Sequence, residues 1–377
     1  MCFVVDSGTD VRLVEGMAER VDLTVLARRI RGGREVSQAP RQALDVEVGP
    51  SGHLAFAWFL VRQWRRVSRR VDVVVVQGYG PAALVANALG RCTGVGVRML
   101  VCSPVEAYYR SRRAPHSGRR YRWLVHQAIT AVARVNAWLG QGYIVLSPYL
   151  ASVIRATGTK LPIAVIPVYG VDGRIFRPPD EPVASLRARL GLPVACQIVF
   201  FSSRVAPEKD AATVLRAMAL LARAGRPVRL LHLSGGYREF LELADAIGVK
   251  DLVIADDAVV PFTPLADYYR ASDVCVQASR EEGLGFSPLE AVACGVPVVA
   301  SAVGGLLDTI RNGETGWSVP VGDAAAMASA IAEVLEGPAE AARRVANGRA
   351  MVQQLYDREV VFAALTVSLG EGQGHAR

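Results

Sequence analysis

The amino-acid sequence predicts an α/β protein that consists of two doubly wound parallel-sheet domains in tandem. Short β-branched runs alternate with helical patterns from residues 2–5 onward, which is typical of βαβ units. The alternation is interrupted at residues 167–182, which contain four prolines and two glycines, and it restarts at residues 197–201. The chain has 377 residues, of which 51% are apolar and 21% are charged, so it can form two packed cores.

The first half contains six predicted strands and four predicted helices. The strands are 2–5, 22–27, 71–76, 97–102, 143–146 and 163–166. The helices are 10–20, 54–69, 81–89 and 119–139. Because strands and helices alternate, we expect a parallel sheet with helices on both faces, in a first domain over residues 1–178.

The second half repeats this pattern. Its predicted strands are 197–201, 228–233, 252–254, 274–277, 298–300 and 316–319. Its predicted helices are 211–224, 265–271, 288–294 and 324–335, the last with Asp323 as N-cap and Gly337 as its stop. We predict a second domain over residues 179–355, followed by a final helix, and a ligand-binding cleft between the ends of the two sheets.

Charge is distributed unevenly along the chain. Residues 1–180 hold 25 Lys and Arg against 12 Asp and Glu, a balance of +13, and the remainder holds 18 against 23, a balance of −5, which together give the net +8. A basic half of this kind favours an anionic partner, such as acidic lipid, a phosphorylated substrate or nucleic acid.

Three features bear on the compartment. No run of 18 apolar residues occurs, so the sequence predicts no membrane-spanning helix. The chain enters a strand-like run at Cys2 without the pattern of an export signal. The six cysteines lie far apart, with no pair at metal-ligand spacing, which favours buried thiols in a reduced, cytosolic protein.

The segment from Ser279 to Gly305 carries the most chemistry. It offers the carboxylate of Glu282, a loop bracketed by glycines, and a helix that we expect to start at Ser287–Pro288 with Glu290 three residues past the cap. Free backbone N–H groups at such a helix start suit a phosphate group. Gly304-Gly305 repeats the glycine loop at the next strand-to-helix turn.

A second constellation follows the predicted strand 197–201. Arg204 and Lys209 stand five residues apart in a loop at the carboxyl end of that strand, which makes a plausible anion clamp. The chain has only 3 lysines against 40 arginines, so a lysine at this position hints that a compact ammonium matters there.

In combination, these motifs resemble the nucleotide-sugar site of the retaining glycosyltransferases of family 4, which have the GT-B fold. The resemblance rests on Arg204-x4-Lys209, Glu282-x7-Glu290, Gly304-Gly305 and the segment 312–317. It covers about residues 186–334 and the linker 166–172, and it is much thinner over the first domain.

The resemblance implies a role for each matching residue. Arg204 and Lys209 would bind the donor diphosphate and neutralise the charge that builds on it, and Glu282 would contact the hydroxyl groups of the transferred sugar. Glu290 would hold the ribose. The donor is further expected to lie against Gly283, Leu284, Gly285, Phe286, Ser287, Gly304 and Gly305.

The resemblance also implies how the reaction proceeds. Transfer would retain the anomeric configuration through front-face departure, without a protein nucleophile, a cofactor or a metal ion, and the sequence has no Asp-x-Asp motif. The C-terminal helix, about residues 356–370, would pack back on the first domain. The second domain would bind the donor, and the first would bind the acceptor.

The chain departs from the family's pattern at several positions. Residues 7–10 replace the usual glycine pair of the first loop, and Tyr169, Asp210 and Asp308 replace the usual Asn, Gly and Glu. The histidine that relatives carry at a strand end of the first domain is missing from residues 101–106. The remaining candidates for the acceptor side are Ser103, Glu106 and His116.

Simpler explanations stand beside these functional ones. Glu290 fits a capping box, and Arg204 and Lys209 fit surface ion pairs with Glu208 or Asp210. Glu106 fits a structural role as well as an acceptor role. The histidines at 53, 126 and 232 fit ordinary packing or surface positions.

The Arg-rich segments of the first half leave two interpretations open. Residues 53–70 mix Trp58, Phe59 and Trp64 with five arginines, which fits either a helix resting on anionic lipid or a helix packed on the sheet. A second cluster strengthens the case for an anionic acceptor or membrane; its members are Arg110, Arg112, Arg113, Arg119, Arg120 and Arg122.

The sequence thus predicts a glycosyltransferase that uses a nucleotide-diphosphate sugar, with two locations left open: the cytosol, or the inner face of the cell membrane as a peripheral protein. Its expected acceptor is a lipid-linked or polysaccharide saccharide, and no nucleic-acid partner is expected. Two rivals remain: a sugar-nucleotide epimerase or phosphorylase of the same fold, and an inactive, basic, membrane-binding relative.

Overall fold

The computed structural model describes residues 1–6, 11–29, 45–104, 119–256 and 262–370. These residues form two compact units. The first contains the described residues up to Gly170 together with those from Glu359 onward, and the second runs from Val171 to Arg358. The division therefore falls after Gly170, whereas the sequence analysis placed it after residue 178.

The first unit is built on a seven-stranded sheet whose paired strands all run parallel. Its order is β3-β2-β1-β4-β5-β6-β7. The strands are β1 (Cys2–Val5), β2 (Thr24–Arg28), β3 (Asp45–Gly49), β4 (Val73–Gln77), β5 (Gly96–Val101), β6 (Tyr143–Val145) and β7 (Ile163–Val165). The helices between them are α1 (Val11–Ala18), α2 (His53–Val67), α3 (Pro81–Thr93), α4 (Arg119–Leu139) and α5 (Pro148–Arg155).

The second unit is built on a six-stranded sheet, again with parallel pairing, in the order β10-β9-β8-β11-β12-β13. The strands are β8 (Gln197–Phe200), β9 (Val228–Leu233), β10 (Val253–Asp256), β11 (Val274–Gln277), β12 (Val298–Ser301) and β13 (Trp317–Val319). The helices are α6 (Val183–Arg189), α7 (Ala211–Arg223), α8 (Tyr237–Ile247), α9 (Phe262–Arg270), α10 (Phe286–Ala293), α11 (Leu306–Thr309), α12 (Ala324–Glu336) and α13 (Pro338–Met351).

Each sheet has one point at which the strand order reverses, between β1 and β4 in the first unit and between β8 and β11 in the second. At such a point the two connections leave toward opposite faces of the sheet, and their loops open a crevice at the carboxyl edge. Ligands of open α/β sheets bind there. The topology therefore singles out one position in each unit before any side chain is considered.

One strand and several helices of the structure are absent from the elements predicted from the sequence. β3 reads Asp-Val-Glu-Val-Gly and lies at the sheet edge with its residues largely half-buried, so it lacks the apolar run of a central strand. α8 buries only Phe240 and Ala244, a stripe too thin to stand out against its charged residues. The predicted cap of α12 is confirmed, because the Asp323 side chain accepts a hydrogen bond from the backbone N–H of Ala326 at 2.9 Å.

The last helix, α14 (Arg358–Gly370), belongs almost entirely to the first unit. The ring of Phe362 is fully buried and fills the space beside Gly16, where a Cβ atom would come within 2.2 Å of it. Arg20 places its guanidinium 5.0 Å from the centre of the same ring. The absence of a side chain at residue 16 thus lets α14 dock against α1.

All six cysteines are free. Cys2, Cys275 and Cys294 are buried, as the sequence analysis expected, but Cys92 is exposed and the remaining two are half-buried. Among the described residues, no cluster of His, Cys, Asp and Glu has the arrangement of a metal site. Within the same part of the chain, no helix has both the length and the apolar character needed to cross a bilayer.

One buried histidine lies in the core of the second unit. His232 is fully buried on β9, and its ring lies 5.5 Å from the ring of Phe201 and 4.0 Å from that of Phe240. Its Nδ1 lies 2.9 Å from the Phe201 carbonyl oxygen, and its Nε2 has no partner among the described residues. Burial lowers the pKa of the His232 imidazole below its usual value of 6.5.

This lowered pKa predicts a loss of stability in acid. The unfolded chain binds a proton at residue 232 near pH 6.5 whereas the folded chain does not, so the free energy of unfolding falls as pH drops below that value. A His232→Phe variant lacks this contribution, and its urea midpoint should fall less between pH 7.5 and pH 5 than that of the wild type. An exposed-histidine control, His126→Phe, should follow the wild type; equal acid sensitivity of all three proteins would refute the interpretation.

Candidate functional site

The central contact of the site joins Lys209 to Glu282. Lys209 ends a short 3-10 turn (Pro207–Lys209) after β8, and Glu282 lies in the loop after β11, so the strand-order reversal brings them together across 73 residues. The Lys209 Nζ lies 2.5 Å from Glu282 Oε2. Their side chains are only 15% and 10% exposed, so this ion pair is screened little by solvent.

Three donors converge on one oxygen of Glu282. Besides Lys209, the Ser279 hydroxyl donates to Oε2 at 3.1 Å and the Gln277 amide donates to it at 3.3 Å. Oε1 accepts no hydrogen bond from any residue that the structure describes. The carboxylate is therefore held through one oxygen, and its other oxygen can accept a hydrogen bond from a ligand hydroxyl group.

Gln277 is a site residue that the sequence analysis missed. It ends β11, is 1% exposed, and its Nε2 also donates to Ser279 at 2.7 Å. Its Oε1 accepts a hydrogen bond from the Ser203 hydroxyl at 2.8 Å. This amide links the loop after β8 to the loop after β11. The sequence feature that could have indicated Gln277 is that a polar residue ends an otherwise apolar strand.

The glycines of the site allow two loops to approach at the backbone. The N–H of Gly305 donates to the Glu282 carbonyl at 3.0 Å, and a Cβ atom on Gly305 would come within 2.2 Å of the Gly283 carbonyl oxygen. Gly285 has φ of +91°, and a Cβ atom there would meet Leu306 at 2.5 Å. The backbones of residues 283–286 and 304–305, which the resemblance assigns to the donor, are thus in close contact beside Glu282.

Arg204 has a different partner from Lys209. Its guanidinium lies 3.1 Å from Glu208 Oε1, and its side chain is 58% exposed while that of Glu208 is fully buried. A surface ion pair with Glu208 was the simpler explanation of Arg204 in the sequence, and the structure contains that pair. Of the two predicted cations, Lys209 contacts Glu282, whereas Arg204 contacts Glu208 and has more than half of its side chain exposed to solvent.

Asp210 follows Lys209 in a left-handed conformation, with φ of +47°. Its carboxylate accepts hydrogen bonds from the Thr213 hydroxyl and the Arg280 guanidinium, each at 2.8 Å. These contacts compensate for a backbone conformation that glycine adopts more readily. Asp210 thereby fastens the turn that carries Lys209 to the loop that carries Glu282.

The helix after this loop starts two residues earlier than predicted. α10 begins at Phe286 with Gly285 as its N-cap residue, so Ser287 and Pro288 lie inside the first turn and Ser287 does not cap the helix. The capping-box explanation of Glu290 is therefore wrong. Pro288 fits within the first turn because its missing N–H is one that lacks a partner in the helix.

Glu290 is instead bound to a buried tyrosine. It is 3% exposed, and the Tyr269 hydroxyl lies 3.2 Å from Glu290 Oε2 and 3.1 Å from the Ser202 hydroxyl. Burial, and next the Glu290 carboxylate, raise the pKa of Tyr269 well above its usual value. The phenol therefore keeps its proton and orients Glu290 beside the loop after β8.

The acceptor side is described only in part. Glu106 and His116 lie outside the described residues, as do residues 7–10. Ser103 is half-buried just after β5 and belongs to the first unit, whereas the donor-side residues belong to the second. Tyr169, at the position where relatives carry Asn, donates its hydroxyl to Cys102 Sγ at 3.3 Å, and burial raises the pKa of that thiol to about 11.

The Arg-rich helix α2 packs on the sheet of the first unit, as one of the two interpretations predicts. One face of α2 is buried on the sheet through Phe56, Ala57, Leu60, Trp64 and Val67. The opposite face exposes Leu54 (79%) and Trp58 (59%), with Arg62 and Arg65 beside them. α3 packs between α2 and α4, and α4 exposes Trp123 (60%) and Trp138 (72%).

This geometry, of two parallel-sheet units with charged loops at a strand-order reversal, defines the class of protein as GT-B. The fold is confirmed by solved structures that cover nearly the whole chain. A sucrose-phosphate synthase from Thermosynechococcus elongatus has a TM-score of 0.78 with 23% identity and covers 98% of each chain. HepE from Anabaena, solved with UDP-glucose, has a TM-score of 0.76 with 17% identity and covers 98% of this chain and 99% of its own.

Residues 184–351 match the family described as "Glycosyl transferases group 1", so the second unit is a domain of that type. A D-inositol 3-phosphate glycosyltransferase from Thermobispora bispora is 38% identical over 181 residues, which are 45% of this chain and 41% of that protein. The enzyme of the same name from Xylanimonas cellulosilytica is 36% identical over 223 residues, 57% and 53% respectively. The chain thus spans about half the length of these relatives.

The turn at Asp210 gives a test of how the site is assembled. An Asp210→Ala variant loses both hydrogen bonds and keeps an unfavourable φ, so we expect its free energy of unfolding to fall by about 2–3 kcal/mol. Asp210→Gly loses the same bonds but relieves the backbone, and should be about 1 kcal/mol more stable than the alanine variant. Urea unfolding measures both; a glycine variant less stable than the alanine variant would contradict this account.

Proposed function

We propose that the chain is a retaining, metal-independent glycosyltransferase of family 4 that transfers a sugar from a nucleotide-diphosphate donor to a hydroxyl group of a saccharide acceptor. The observation that carries the proposal is the Lys209–Glu282 pair at the strand-order reversal of the second unit. The match of residues 184–351 to a glycosyltransferase family supports it.

The electrostatics of the pair suit this reaction. As the bond between the sugar and the diphosphate breaks, negative charge builds on the leaving group and positive charge on the anomeric centre. The ammonium of Lys209 has three N–H donors, of which Glu282 uses one, so the others remain for phosphate oxygens. A cation already fixed in position stabilises the leaving group without the cost of reorganisation.

The remaining residues bind parts of the donor. Glu282 accepts sugar hydroxyl groups through Oε1, and Glu290, oriented by Tyr269, accepts the ribose hydroxyl groups. The backbone N–H groups of residues 283–286 face the sugar and phosphates. Arg204 swings from Glu208 to the diphosphate when the donor binds, which its 58% exposed side chain allows. Retention through front-face departure requires no protein nucleophile.

The names of similar proteins support the proposed donor class, a sugar linked to a nucleoside diphosphate. HepE was solved in complex with UDP-glucose, and a trehalose-phosphate protein from E. coli was solved with UDP-2-fluoro glucose. The curated relatives are D-inositol 3-phosphate glycosyltransferases. We infer that a UDP- or GDP-linked hexose is the donor, and that a lipid-linked saccharide is the acceptor, because the first unit is basic and exposes apolar side chains.

Removing the Lys209 ammonium should slow the reaction without abolishing folding. We expect Lys209→Ala to lose about 2–4 kcal/mol of transition-state stabilisation, or roughly 30- to 1000-fold in kcat/KM, and EDTA to leave the wild-type rate unchanged. The matched control is Lys250→Ala, since that lysine is exposed and pairs only loosely with Asp245 at 3.8 Å. Circular dichroism checks that each variant is folded.

Product analysis with a labelled donor separates the rival functions. A glycoside product supports transfer, an epimerised sugar nucleotide with no glycoside indicates an epimerase, and dependence on added phosphate indicates a phosphorylase. Wild-type turnover by Lys209→Ala would refute the role given to the lysine. Membrane binding in the absence of any affinity for a nucleotide sugar would favour an inactive relative.

We further propose that the protein acts at the surface of an anionic membrane, through the exposed faces of α2 and α4. Tryptophan and leucine side chains next to arginines suit the interface, where the rings enter the headgroup layer and the guanidinium groups meet lipid phosphates. Trp58 carries Arg62 at 5.8 Å from its ring centre, which places a cation directly beside the apolar side chain. This surface would give access to a lipid-linked acceptor.

Vesicle flotation tests this surface. The wild type should bind phosphatidylcholine vesicles that contain about 30% phosphatidylglycerol, and Trp58→Glu should bind at least about tenfold more weakly because it loses apolar area and adds negative charge. Val194→Glu, at a position 54% exposed in the second unit, is the matched control. Equal binding of Trp58→Glu and the wild type would contradict the assigned surface.

A further inference from the structure

A cluster of polar side chains occupies the strand-order reversal of the first unit. Asp6 follows β1, Arg28 ends β2, and His53 begins α2. The Asp6 carboxylate and Arg28 guanidinium are 11% and 13% exposed, and the imidazole of His53 is 59% exposed. The cluster is therefore buried at Asp6 and Arg28 and accessible to solvent at His53, at the edge of the sheet where ligands bind.

The contacts fix the geometry of the cluster. Arg28 Nε lies 2.8 Å from both the Asp6 Oδ1 and the Asp6 carbonyl oxygen, and Arg28 Nη1 donates to the Ser51 carbonyl at 2.6 Å. His53 Nδ1 lies 3.2 Å from each carboxylate oxygen of Asp6. Arg28 thus holds Asp6, and Asp6 in turn holds the imidazole ring.

These contacts also decide what His53 can recognise. Because its Nδ1 faces a carboxylate, the neutral ring carries its proton on Nδ1, and the exposed Nε2 is a hydrogen-bond acceptor. The charge of Asp6 is already balanced by Arg28, so the cluster offers no net negative charge to a cation. Its open tip therefore matches a neutral donor group, and the hydroxyl group of a sugar or polyol is such a group.

The loop after β4 brings a glycine next to the Asp6 carboxylate. A Cβ atom built on Gly80, in the loop after β4, would lie 3.7 Å from Asp6 Oδ2, so a side chain there would extend along the carboxylate. Gly78, in the same loop, has φ of +81°, and no atom of the described residues lies within 4 Å of the position of a Cβ atom there. The loop after β4 thus approaches the Asp6 carboxylate at a position that carries no side chain.

We propose that Asp6 and His53 form a hydroxyl-binding site in the first unit, in which His53 Nε2 accepts a hydrogen bond from a saccharide or polyol and Asp6 is the positioning residue. This inference rests on the proposed function, because the ligand would be the sugar acceptor. It assigns to the first unit a contact residue that lies outside the acceptor candidates at 103, 106 and 116.

The test uses the full chain and myo-inositol, which presents hydroxyl groups in six positions around one ring. Nitrogen-15 chemical shifts of the imidazole should show the proton on Nδ1 of His53, and adding myo-inositol at millimolar concentrations should shift the His53 ring signals. His53→Gln should bind myo-inositol about five- to tenfold more weakly, since one hydrogen bond is lost. His126→Gln, an exposed histidine of the same unit, should bind like the wild type.

Each outcome bears directly on the proposal. A proton on Nε2, unshifted His53 signals, equal affinity of His53→Gln and the wild type, or a response to inorganic phosphate without one to myo-inositol would each overturn it. Asp6→Asn should allow the proton on either ring nitrogen, which a purely structural role for Asp6 does not require. Titration of the same samples with UDP and GDP tests the donor site separately, so failure of the proposed function is distinguishable from failure of the hydroxyl site.

Discussion

The ion pair between Lys209 and Glu282 is the interaction on which the proposed donor site depends. An isolated charge in a largely buried position is costly, so each side chain lowers the cost of burying the other. Together, and with hydrogen bonds from Gln277 and Ser279, they form a neutral and rigid unit at the switch point of the sheet. In the proposed function, the donor diphosphate would then meet a cation whose position was fixed during folding.

The surrounding loops are arranged around this pair. Gln277 links it to Ser203, Asp210 ties the lysine turn to Arg280, and Gly305 brings the loop after β12 onto the glutamate backbone. None of these contacts is strong alone, but each joins segments that follow different strands. A parallel sheet makes this possible because the carboxyl ends of its strands share one edge.

Much of this arrangement was predictable from the sequence, and the remainder has physical reasons. Parallel strands are buried on both faces, so runs such as Val73–Val76 stand out, whereas the edge strand β3 is half-buried and carries two acids. The start of α10 was misplaced by two residues, because Gly285 adopts a positive φ that no pattern of side chains reveals. The sequence predicted that Lys209 and Arg204 face one anion together, whereas the structure pairs Lys209 with Glu282. Because these two residues are 73 positions apart, their contact could not be predicted from the local sequence.

Calorimetric titration of Glu282→Gln with UDP and GDP tests the central claim most directly. The substitution removes the carboxylate charge from Lys209 while keeping the amide near the size of the original group. Our account predicts that transfer is lost and that the nucleoside diphosphate bound by the wild type binds with equal or higher affinity, because the ammonium no longer shares its charge with Glu282. A drop in that affinity of more than about tenfold would contradict the account, since it would make the glutamate itself the holder of the nucleotide.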